Sequence, residues 1–131
     1  MYISDESCRR TAIAYGWIGL GCLLFSALYE CFSHGVYAAP MLCLCLYPWG
    51  GGALLFWLIK RIRFRPSISA CRMWHAGMAT LTVGSAVTGV VEIYGTDCPY
   101  LPVYYIVGGV LCAGGALLGC IRHQKKNHRC D

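Results

Sequence analysis

Charge is what this sequence has least of. Charged residues make up 13% of the 131 positions, about half the share typical of a soluble domain. Such a chain has too few ionised groups to cover a water-facing surface. No phosphate-binding glycine loop, nucleophile elbow or HExxH pair is present, so the common nucleotide-binding and hydrolytic chemistries have no motif here. No Asn-x-Ser/Thr acceptor occurs either. There are ten cysteines, yet no two stand in a Cys-x-x-Cys pair. That removes a thioredoxin-type dithiol.

What fills the space is apolar. Hydrophobic residues make up 57% of the chain, gathered into four runs at 11–32, 36–59, 73–94 and 100–121. About 20 helical residues, at roughly 1.5 Å rise each, cross a hydrocarbon core of roughly 30 Å. A spanning segment must satisfy its own backbone, so each run is expected to be a helix. The runs lack the alternation of a membrane barrel strand. The expected fold is all-α: residues 1–131 as one four-helix transmembrane bundle built from two tandem helical hairpins. Arg9 and Arg10 before the first run suggest a signal peptide. The run is longer than a signal core and no small-residue cleavage site follows it, so it is read as a retained span.

All 11 Lys and Arg residues lie outside the four runs. Arg9 and Arg10 precede the first. Lys60, Arg61, Arg63, Arg65 and Arg72 lie between the second and third. Arg122, Lys125, Lys126 and Arg129 follow the fourth. The positive-inside rule therefore predicts both termini inside, with loop 60–72 and tail 122–131 in the cytoplasm of a multi-pass cell-membrane protein. The net charge of +5 fits orientation and contact with the lipid bilayer. No nucleic-acid-binding motif accompanies it. In the tail, Cys120, His123, His128 and Cys130 match no zinc-finger spacing and are crowded by cations. A disordered tail is expected there, and no metal or cofactor is implied.

Displacing the chain by 62 residues aligns Arg10 with Arg72, Glu30 with Glu92, Pro40 with Pro102 and Ile59 with Ile121. Each acid then lies 20 residues beyond its arginine, or about 30 Å along a helix. Glu30 and Glu92 are thereby predicted at the outer boundary. His34, four residues after Glu30, shares its helix face if the helix continues. Glu30, His34 and Glu92 are the candidate proton- or cation-binding group; hydrated interfacial side chains are the plainer reading. Gly35 and Gly95 look like helix stops. Cys31 and Cys98 lie near the same face and could form a disulfide. His75 is expected at the cytoplasmic interface. Pro48 to Gly52, PWGGG, is expected to kink or break the second helix. Ser85 with Gly89, and Gly115 with Gly119, have the small-xxx-small spacing of close helix contacts.

The stretches FSHGVY (32–37), HAGMATLTVGSAVTGVVEIYGT (75–96) and VYYIVGG (103–109) resemble a group of small bacterial inner-membrane proteins with four predicted spans and no assigned function. The resemblance implies the bacterial cytoplasmic membrane and supplies no site residue. The functional expectation is a non-enzymatic membrane protein: a small transporter or membrane-complex subunit, acting as a homo-oligomer or with other subunits. One alternative is a membrane-embedded enzyme using Glu30, His34 and Glu92. Another is a structural partner that assembles through its glycine faces.

Overall fold

The computed structural model describes residues 5–32, 39, 43–62 and 66–127. Helix α1 runs Asp5–Phe32. A π-helical segment, Tyr47–Leu54, leads directly into α2, Leu55–Ile62. Helix α3 is Ile68–Ile93 and α4 is Leu101–Asn127. No strand occurs among the described residues. Helices α1, α3 and α4 have 28, 26 and 27 residues, or about 40 Å each. Three stretches, Glu6–Phe32, Ile68–Ile93 and Leu101–Ile121, are long and apolar enough to cross a membrane.

The run 36–59 is the exception. Residues 33–38 and 40–42 lie outside the described residues, as does His34. From Cys43 onward the run is not one regular helix, because the π-helical segment interrupts it. Pro48 sits in the first turn of that segment and Gly50, Gly51 and Gly52 fill its middle. Proline removes a backbone donor, and glycine leaves the backbone without a preferred winding. The predicted disruption is therefore a widened i→i+5 turn. This also breaks the 62-residue repeat, since 109–116, the counterpart of Tyr47–Leu54, lies within the continuous helix α4.

The helix ends have local causes. Ser67 caps α3, its hydroxyl accepting from the Ala70 amide at 3.3 Å. At the other end Gly95 has φ +68°. Its amide donates to the Glu92 carbonyl, and the Thr96 amide to the Val91 carbonyl. That pair of bonds is a Schellman stop, and the left-handed residue favours glycine. The tail differs from expectation: backbone helix continues through 122–127, where a disordered segment was predicted.

The helices pack in chain order. α1 lies against the π-helical segment and α2, that segment touches α3, and α3 pairs along its length with α4. Among the described residues α1 and α4 share no extensive contact. The α3–α4 seam is made of small residues. A methyl group at Gly77 would lie 2.8 Å from both the Cys112 nitrogen and the Gly108 carbonyl oxygen. One at Gly115 would lie 2.9 Å from the Ala70 carbonyl oxygen and the Trp74 nitrogen. Ser85, Gly89 and Gly119 are also buried. The backbones approach closely because side-chain bulk is missing.

Candidate functional site

Three rings from three helices meet near the arginine- and lysine-flanked ends of the apolar runs. Tyr15 comes from α1, Phe56 from α2 and His75 from α3. The Tyr15 hydroxyl and His75 Nδ1 are 2.6 Å apart. The His75 ring stacks on Phe56 with centroids 5.1 Å apart and planes 10° from parallel. It stacks on Tyr15 at 5.4 Å, and Tyr15 stacks on Phe56 at 6.0 Å. Phe56 is only 1% exposed. It joins Cys8 and Cys71 in a buried cluster that Ala12, Tyr15, Ile59 and Trp74 flank.

The π-helical segment is what makes room for these rings. Any side chain at Gly52 would run into the Tyr15 ring, and one at Gly51 into Met78. Two indoles fix the segment between its neighbours. Trp74 Nε1 donates to the Gly51 carbonyl at 2.7 Å, and Trp49 Nε1 donates to the Gly16 carbonyl at 3.2 Å. The Gly51 carbonyl of the widened turn thus gains a side-chain donor, and the Trp49 bond ties the segment to the α1 backbone.

Tyr15 and His75 line a cleft of about 450 Å³ between α1 and α3. Its other walls include Thr11, Ile18, Met78 and Thr82. The Thr82 hydroxyl donates to the Met78 carbonyl at 2.8 Å, so the cleft is mainly apolar with one polar pair. Tyr15 is five residues past Arg10 and His75 three past Arg72, about 7 Å and 5 Å from the basic boundary. In the neutral tautomer that carries its proton on Nε2, Nδ1 accepts the tyrosine proton. When the ring gains a proton, both nitrogens donate, and the tyrosine oxygen must become the acceptor. Proton uptake by that tautomer therefore reverses the direction of this bond.

The group of Glu30, His34 and Glu92 is less assembled. Glu30 is half-buried, with Oε1 shut off from solvent. Glu92 is exposed on α3, and His34 lies outside the described residues. Cys31 and Cys98 carry separate thiols. Among the described residues no cluster of three His, Cys, Asp or Glu side chains could hold a metal.

Sequence reading assigned His75 to the interface and passed over Tyr15 and Phe56. These residues lie on different helices, so no spacing in the chain links them. The available signal was a histidine flanked on both sides by apolar sequence. Comparison with protein families, curated proteins and solved structures finds no match for this chain.

Proposed function

We propose that this chain is a multi-pass membrane protein whose working centre is the Tyr15–His75 pair. In this reading it crosses the bilayer four times, with both termini and loop 60–72 in the cytoplasm. It acts as a small proton-linked transporter or as the proton-handling subunit of a membrane complex, in the bacterial cytoplasmic membrane that the resemblance implies. The supporting observation is the 2.6 Å Tyr15–His75 hydrogen bond at the edge of an apolar cleft. Ionisable groups held within apolar spans are functional by default, because burying them is costly. A histidine is suited to the task, since its charge changes near physiological pH.

The other two readings find less support. An enzyme at Glu30, His34 and Glu92 needs a closed pocket, and Glu92 is exposed. Assembly through glycine faces needs those faces free. Gly77, Gly84, Gly108 and Gly115 instead meet neighbouring helices of the same chain, and the open glycines include Gly16 and Gly109, which lie on different helices.

The test is proton movement in vesicles. Full-length protein is reconstituted with a pH dye inside and a pH step is applied. Wild type is expected to collapse the gradient faster than empty vesicles, and His75→Leu to match the empty vesicles. A His75→Leu variant as fast as wild type, or a wild type as slow as empty vesicles, overturns the reading.

A further inference from the structure

A second cleft lies on the far side of α1, where the helix meets the π-helical segment and α2. It has a volume of about 460 Å³ and is lined by Arg9, Lys60, Trp57, Ile13 and Leu54, among others. A smaller cavity of about 320 Å³ shares Ile13 and Trp49 with it and extends along α1 to Gly16, Trp17 and Leu20. The two form one groove with cations at one end and apolar walls beyond. From Arg9 to Leu20 the helix rises about 16 Å, half of a hydrocarbon core of roughly 30 Å.

The charges at its mouth are unbalanced. Glu6 accepts from Arg9 at 2.9 Å and from Arg10 at 3.2 Å. Arg9 also donates its Nε to Glu6 at 3.1 Å, and Lys60 lies close enough to act on the same carboxylate, so among the described side chains one carboxylate faces three cations. Trp57 is 58% exposed beside Lys60. Amphipathic indoles of this kind sit at the level of lipid headgroups.

We infer that this groove holds one phospholipid with an anionic headgroup, its phosphate between Arg9 and Lys60 and one acyl chain along Ile13, Trp49 and Leu20. The charge at the mouth selects the headgroup. The groove length, one leaflet deep, selects a lipid over a free phosphate. Gly16 leaves open space in the tail section, since a side chain there would meet nothing within 4 Å. This inference rests on the membrane reading but not on the Tyr15–His75 centre.

The experiment is native mass spectrometry of the full chain from membranes containing equal phosphatidylglycerol and phosphatidylcholine of the same acyl chains. Wild type is expected to retain one phosphatidylglycerol. Each cation facing a headgroup contributes about fivefold, so the double variant Arg9→Gln, Lys60→Gln loses about 30-fold preference. Arg72→Gln, which removes an exposed cation outside the groove, leaves the preference unchanged. Gly16→Leu fills the tail section and lowers retention of both lipids, while its melting temperature in lipid-free detergent stays at the wild-type value. Equal retention of the two lipids by wild type overturns the inference while leaving the membrane reading intact. So does an equal loss in Arg72→Gln, or displacement of the lipid by soluble glycerol phosphate.

Discussion

Tyr15 and His75 are 60 positions apart in sequence, and one short hydrogen bond joins their helices. In hydrocarbon such bonds contribute less than a vacuum value suggests, about 0.6 kcal/mol on average with an upper range near 2. A double-mutant cycle isolates this coupling. Tyr15→Phe removes only the hydroxyl, and His75→Leu removes the ring it bonds. Steric unfolding in detergent should show the double variant more stable than the sum of the two losses predicts, by about 0.6–2 kcal/mol. Strict additivity would mean that the hydroxyl and the imidazole do not interact. At this scale little was legible in advance. Glu30 and Glu92 drew attention because acids near apolar runs are rare. Tyr15 did not, because tyrosine is ordinary at membrane depths and its partner sits on another helix.

The elements were more legible, since their causes are local. Ser67 and Gly95 bound α3 with a cap and a left-handed stop. The PWGGG run announced an irregular helix. Its winding was not readable, because it depends on Trp49, Trp74 and Tyr15 pressing against glycine carbonyls and faces. The small-residue contacts were found only in part. Spacing of four picked out Ser85 with Gly89 and Gly115 with Gly119. The seam also recurs at sevens, through Ala70, Gly77 and Gly84 on α3 and Gly108 and Gly115 on α4. A seven-residue recurrence keeps one helix face toward a partner. Gly77→Leu and Gly115→Leu should each destabilise the α3–α4 hairpin by about 1–3 kcal/mol, because backbone occupies the space that the side chain needs. Gly109→Ala should be neutral or stabilising by up to about 1 kcal/mol, since nothing lies within 4 Å of that site. Equal losses at Gly77 and Gly109, measured as detergent melting, would show that helix propensity and not close packing governs these positions.

At the scale of the molecule, the spans carry their apolar surface outward. Only 11%, 28% and 17% of the three apolar windows is buried inside the chain. Trp17, Phe32 and Val110 are among the exposed large side chains, at 69%, 75% and 67%. In water a surface of this kind would associate without limit; against acyl chains it is matched. The lengths of the three long apolar helices were readable from sequence because they follow from the bilayer as solvent. The order in which the helices pack was not, because it depends on contacts between distant segments.

Orientation in the bilayer is the central claim, since the depths of the Tyr15–His75 centre and of the lipid groove follow from it. Cys8 and Cys71 are poor reporters, being 3% and 4% exposed. Thr96 in the loop before α4 and Arg61 at the end of α2 are both exposed. Thr96→Cys and Arg61→Cys should therefore be treated with a membrane-impermeant maleimide in intact cells, with the labelled peptide identified by mass spectrometry. The account predicts labelling at position 96 in intact cells and at position 61 only after permeabilisation. Labelling of position 61 from outside, or of both positions from the same side, would contradict it.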